Sequence, residues 1–227
     1  VLPTRFPNRE KGFCSFYCSC YIFLPLAKLI IIAQTQGVCA PKAAFSRCYF
    51  ATLLFAGTLI LHTFVFAKQK HKQMEEKFMR RAVELSAQSV RNGGGPFGAV
   101  IVRDGEIVGE ASNSVTKDND PTAHAEVNAI RRAAAKLGTF NLDGCDIYTS
   151  CEPCPMCLGA IYWAHLSHIY YCNTRKDAAE IGFDDDFIYH EFNVPLEGRS
   201  IPIERVLPGE GDYVFREWKD SEDVKRY

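Results

Sequence analysis

His124-Ala125-Glu126 and Cys154-Pro155-Met156-Cys157 stand thirty residues apart, and together they restrict the fold more than any other feature of this chain. An imidazole and two thiolates that bind one ion must meet at one point, so two distant segments have to converge. Three protein ligands, His124, Cys154 and Cys157, leave the fourth position of a tetrahedral zinc open, the arrangement of a catalytic rather than a structural site. A closed site needs a fourth Cys or His. Cys151 is the only local one, and it lies upstream of the Pro153-Cys154-Pro155 turn, at a predicted strand end. Cys154 and Cys157 are three apart and share a face on a helix. Pro155 suits the first helical position, which puts Cys154 at the helix N-terminus, where the dipole favours the thiolate. His124 opens a second helix. Glu126 is not needed as a ligand, and two residues from one it is placed to move protons as a general acid/base. Read alone it would be a first-turn Glu complementing the helix dipole, worth about 0.3–1 kcal/mol. The Ala125 amide and the amides opening the Cys154 helix point to where charge develops on a substrate.

The pattern around these motifs predicts alternating elements. Phe78, Ala82, Leu85 and Ser86 follow helical spacing from Met74 onward, and Gly93-Gly94-Gly95-Pro96 stops that helix. Ala99 to Val102 and Ile107 to Val108 flank Asp104-Gly105, a hairpin signal. Ala123, Val127, Ile130 and Ala134 mark a second helix, Ile147-Tyr148 a strand, Ile161 and Ala164 the Cys154 helix, and Ile169 to Cys172 a further strand. This order predicts an α/β fold of three layers, α/β/α, with a mixed central sheet.

The first 73 residues read differently. They hold Glu10 as their only acid against nine Lys/Arg, whereas residues 74–227 hold 17 Lys/Arg against 26 Asp/Glu, a net of −9. Tyr49 to Ala67 is a nineteen-residue apolar stretch followed by Lys68, Lys70, His71 and Lys72. Taken literally it is a membrane-spanning candidate that leaves the zinc domain in the cytoplasm. No Met precedes Met74, so residues 1–73 are read as an N-terminal extension without a part in catalysis: translated upstream sequence or a leader. A membrane contact follows only if that segment belongs to the working protein. The expected domain is therefore 74–227. Its acidity disfavours nucleic acid, whose non-specific binding rests on Lys/Arg neutralising phosphates. A metal-ligating Cys pair points to reducing surroundings such as the cytoplasm rather than to a disulfide framework.

Residues 74–227 resemble the cytidine/deoxycytidylate deaminase superfamily, and most closely its small bacterial guanine deaminases. The matching stretches are Gly94 to Val100, Asn119 to Val127, Tyr148 to Cys157 and Gly182 to Tyr189. His-x-Glu followed by Pro-Cys-x-x-Cys is the zinc deaminase signature, with the Glu as acid/base and not a ligand. The resemblance implies one zinc per subunit and hydrolysis of the amino group of a purine base by water. It implies further that Asn113 hydrogen-bonds the purine, that Phe97 and Trp163 pack against it, and that Asp185 assists the amino group. Tyr227 would complete the pocket of a neighbouring subunit in a domain-swapped homodimer. An Asn amide, with donor and acceptor, suits a lactam edge. The rivals are a guanosine deaminase of the plant type, a cytosine or tRNA adenosine deaminase, disfavoured by the acidic charge and by Asp184 to Asp186, and an inactive zinc-binding oligomeric module, against which intact Glu126 argues.

Overall fold

The computed structural model describes the backbone of residues 42–225 and the side chains of most residues from 63 onward. Residues 1–41, Arg226 and Tyr227 lie outside the described residues, as do most side chains of the apolar stretch 49–67. The chain divides into two compact units, Val1–Val65 and Phe66–Tyr227. Among the described residues no helix is long and apolar enough to cross a membrane.

Helix α1 spans Lys42–Arg91, 50 residues, and so begins well before Met74, where the amphipathic pattern starts. Nothing stops it earlier: no Pro lies between 42 and 91, Gly57 is the single Gly, and the stretch 68–80 is rich in the helix formers Lys, Gln and Glu. It ends where expected, with Asn92 N–H bonded back to Gln88 O and Gly93 N–H to Val90 O. Gly93 there takes φ 77, a left-handed value at which a side chain is strained.

Strands β1 (Gly98–Arg103) and β2 (Glu106–Ser112) form the predicted hairpin, with Asp104 and Gly105 at φ 52 and 82. Two positive φ values match the twist of the paired strands. After a four-residue helix α2 (Val115–Asp118) comes α3 (Ala125–Leu137), then β3 (Cys145–Cys151), α4 (Pro155–Trp163) and β4 (His168–Asn173). The sheet order is β2-β1-β3-β4. β1 is antiparallel to both neighbours, and β3 runs parallel to β4, which requires the α4 crossover. Helices α5 (Arg175–Glu180), α6 (Asp186–Asn193) and α7 (Asp212–Asp220) follow.

The central strands bury both faces, and their period of two sorts side chains into two cores. Val100, Val102 and Tyr148 meet Phe78, Ala82 and Leu85 of α1. Ala99, Ile101 and Ile147 meet Ala125, Ala129 and Ala133 of α3 with Ile161 and Ala164 near α4. This is the expected three-layer α/β/α arrangement. The most buried face of α3 is lined by alanines rather than by the larger apolar residues that mark the helix in the sequence. Val127, Ile130 and Ala134 are only partly buried, and the alanines one step round face the sheet. Gly109 explains the choice: a Cβ there would lie 2.6 Å from Ala129 O and 2.8 Å from Ala133 Cβ. The helix approaches β2 so closely that only small residues fit. Gly98 does the same for α1, where a Cβ would stand 2.2 Å from Ala82 O.

At the open edge of this arrangement Arg81 Nε and Nη2 grip the Glu110 carboxylate at 2.9 and 2.7 Å, and Arg132 Nη1 donates to Glu110 O at 2.7 Å. That network joins α1, β2 and α3. After Ala178 no described residue is buried. Phe187, Phe192, Ile201, Val206 and Phe215 stand largely in the open.

Gly109→Ala is expected to destabilise the domain by about 1–3 kcal/mol through overpacking. Urea unfolding checks this, with a lower midpoint and an unchanged slope.

Candidate active site and metal centre

Two of the three metal donors occupy helix N-cap positions. His124 caps α3 and Cys154 caps α4, both with extended backbone and neither with a side-chain capping bond. An N-cap normally spends its side chain on the first-turn amides, so here both side chains are turned to another use. Pro155 holds the first helical position, and Cys157, one turn on, is fully buried. His124 Nδ1 lies 3.5 Å from Cys154 Sγ and 3.4 Å from Cys157 Sγ. The three donor atoms all fall within 4.8 Å of one another. Sulfur at about 2.3 Å and nitrogen at about 2.1 Å from one tetrahedral zinc stand about 3.6 Å apart. The spacing of the donors therefore fits zinc. Cys151 ends β3 outside this group, its Sγ 3.5 Å from Thr174 O.

The charges favour a divalent cation. The hydrogen bond from Cys157 pushes the Cys154 thiol down to about 4, against the effect of burial. Cys157 is pushed up, first by its bond to Cys154 and then by burial. One thiolate thus forms easily, and the second proton leaves only against added positive charge. The bond to Cys154 raises His124 above its ordinary value.

Glu126, in the first turn of α3, is buried with its Oε2 3.4 Å from Cys157 Sγ. Burial raises its pKa above the usual carboxylate range. A cavity of about 780 Å³ opens over these groups, within the range of small-molecule sites. Glu126, His124, Cys154, Asn113, Phe97 and Asp185 all line it, so five further positions read from the sequence as metal, acid/base or substrate residues join His124 there. Asn113 follows β2 and is buried. Its Oδ1 accepts from Val115 N–H at 3.3 Å, leaving the amide –NH₂ and a second lone pair for a ligand. Ala125 is buried beside His124, and its N–H is one of the first-turn donors without an intrahelical partner. Burial raises the Asp185 pKa as well.

Trp163 is not among the cavity residues. It ends α4 with 61% of its surface exposed. The aromatic partner of Phe97 is instead Phe183, with ring centroids 4.9 Å apart at 88°. Phe183 lies within the Gly182 to Tyr189 motif but carries no periodic signal, because it sits in a loop between α5 and α6. Arg175 and Glu152, also in the lining, flank a strand end and a short helix for which the sequence offers no chemical pattern.

Dialysed full-length chain is expected to retain one zinc. His124→Ala and Cys157→Ser lose it, and Glu126→Gln keeps it. Acidification releases it from the wild type, because protons compete for the ligands. Metal analysis across a pH series reads all four outcomes.

Comparison with known proteins agrees with this geometry. Residues 72–173 match the cytidine and deoxycytidylate deaminase zinc-binding region. The chain is 54% identical to guanine deaminase of Bacillus subtilis over 153 residues, 67% of this chain and 98% of that protein. The X-ray structure of that enzyme superposes with a TM-score of 0.65 over the same shares. A tRNA-specific adenosine deaminase of Aquifex aeolicus is 39% identical over 102 residues, 45% of this chain and 68% of its own length. Donor geometry, buried acid and sequence similarity converge: the chain belongs to the zinc-dependent cytidine and deoxycytidylate deaminase family.

Proposed function

We propose that this chain hydrolyses guanine to xanthine and ammonia. The observation that carries this reading is a single cavity lined by Glu126, Asn113 and Asp185 with two of the three metal donors, His124 and Cys154. The 54% identical relative is a guanine deaminase along 98% of its length. The matched zinc region stops at residue 173, and relatives acting on tRNA share it. Phe183 and Asp185 lie beyond that boundary, where substrates are told apart.

His124, Cys154 and Cys157 would hold the zinc, which would supply the nucleophile by lowering the pKa of a bound water. Phe97 and Phe183, edge to face, flank the flat ring, while Asn113 reads the lactam edge through its amide. Glu126 takes a proton from the attacking water and passes it to the ring nitrogen as the new C–O bond forms. The water's remaining proton goes to the amino nitrogen, the C–N bond breaks, and ammonia leaves. Glu126 is buried and raised by burial, so it holds the transferred proton between the two steps. Asp185 faces the leaving amine and assists its protonation. The Ala125 N–H lies at a helix start, where developing negative charge is stabilised.

The assembly is a homodimer in which each chain completes its neighbour's pocket. The exposed apolar residues from Phe187 to Phe215 support this, since their area is too extensive for a solvated surface. Tyr227 completes the pocket of the neighbouring chain, and Trp163, exposed in one chain, gains its contact with substrate or wall across the same interface. The free cysteines of the described residues support a reducing, cytoplasmic setting, and the net −9 of residues 74–227 supports a small-molecule substrate over nucleic acid.

Zinc-loaded protein is expected to release ammonia from guanine much faster than from guanosine, cytosine or adenine, and Glu126→Gln to lose turnover by at least about a hundredfold. A preference for guanosine moves the reading to the nucleoside enzyme; silence on the whole panel moves it to an inactive zinc module. Mixing inactive Glu126→Gln chain with inactive chain truncated before Tyr227 is expected to restore activity through a heterodimer. Failure of that mixture after co-refolding contradicts the exchanged pocket.

A further inference from the structure

The run Asp184-Asp185-Asp186 divides its three carboxylates among three surroundings. Asp184 Oδ1 accepts Asp186 N–H at 3.0 Å. Asp186 Oδ1 faces Arg175 Nη2 at 3.5 Å. Asp185 opens α6 without a side-chain capping bond and lines the cavity. Its neighbours thus take the structural duties that an acid in this position would otherwise perform.

Arg175 connects this turn to the metal centre. Its N–H donates to Glu152 Oε2 at 3.1 Å, and Glu152 N–H in turn donates to Asn173 O at 2.8 Å, which ties the residue two before Cys154 to the end of β4. Its guanidinium lies 4.6 Å above the centre of the Tyr189 ring. Asp186 and Tyr189 are three apart on α6 and share a face, so one side chain grips the first turn of that helix at two points. Arg175 is itself anchored by the capping box of Thr174 and Asp177.

We propose that Arg175 is a positioning residue: it clamps the start of α6 to the strand end beside Cys154 and so holds Asp185 over the reacting centre. The assignment rests on the deaminase reading of this cavity. Only a planar, charged fork can lie flat on a ring and pair with a carboxylate at once; a lysine ammonium does one or the other. Placement has a large effect on rate, since a displacement of about 1 Å at a reacting group costs on the order of a hundredfold.

The test uses zinc-loaded full-length chain carrying Arg175→Ala, Arg175→Gln or Arg175→Lys, each alone and combined with Asp185→Asn, with kcat and KM for guanine, bound zinc and thermal midpoint measured. Arg175→Ala is expected to lower kcat about tenfold or more, with KM changed by less than about threefold. Zinc stays at one per chain, and Arg175→Lys restores part of the loss. In the Asp185→Asn background Arg175→Ala is expected to add less than about a twofold effect, because the two act as one unit. An unchanged kcat overturns the proposal, as does an effect that multiplies fully with Asp185→Asn, or a rise in KM alone, which makes Arg175 a substrate contact. If the alanine variant does not fold, Arg175→Gln, which keeps the stem and the backbone bond, is read by the same criteria. A wild type inert towards guanine and the rest of the substrate panel overturns the deaminase reading and this assignment together, whereas an active wild type with indifferent Arg175 variants overturns this assignment alone.

Discussion

Two helix N-termini have to meet at the C-terminal end of β3, and most of the domain follows from that requirement. His124 opens α3 and Cys154 opens α4, and neither helix can move far without pulling apart donor atoms that lie within 4.8 Å of one another. The positive ends of two helix dipoles then point at one spot, which stabilises the thiolates and any negative charge that develops on a substrate. The parallel pairing of β3 with β4 is what brings α4 back over the sheet, and the hairpin β1–β2 supplies the surface on which α3 lies. Gly109 belongs to the same logic: a helix that must bring a ligand to an ion cannot be held off the sheet by a side chain.

Polar groups near the ion are divided by burial and by partner rather than by residue type. Glu126 is sealed against Cys157 and is raised by burial. Glu152 carries the same side chain, yet it serves the backbone of Arg175. The three aspartates at 184–186 divide in the same manner. A run that would ordinarily be a solvated acidic surface instead brings Asp184 and Asp185 to the cavity, while Asp184 accepts a backbone amide and Asp186 pairs with a guanidinium.

The described chain leaves much of its C-terminal third unburied, and the uneven distribution of the core explains why. Both cores are built from residues up to Tyr170, so the chain beyond them follows a core that is already complete. Trp163 lies at the same boundary, at the end of the helix that carries two of the ligands. It stands outside the cavity lining, whereas Phe183 reaches Phe97 within the chain.

The metal-donor cluster, the place of Glu126 beside it, the hairpin at Asp104-Gly105 and the order of elements were legible in the sequence, because each depends on short-range chemistry: ligand type and spacing, a turn that needs positive φ, a proline that suits a helix start. The length of α1 was less legible, since amphipathic periodicity marks where a helix begins to pack and not where it begins. The buried face of α3 was not legible for a related reason. Hydrophobicity favours valine and isoleucine, but the close approach at Gly109 selects alanine, and that distance exists only between elements. Phe183 and Arg175 lay outside any periodic signal, on loops and helix ends that the fold alone carries to the cavity. The amino-acid sequence by itself determined which atoms can hold zinc and move a proton. The tertiary structure decided which aromatic, which carboxylate and which arginine surround them, because those choices are made by contacts between segments that have no fixed spacing along the chain.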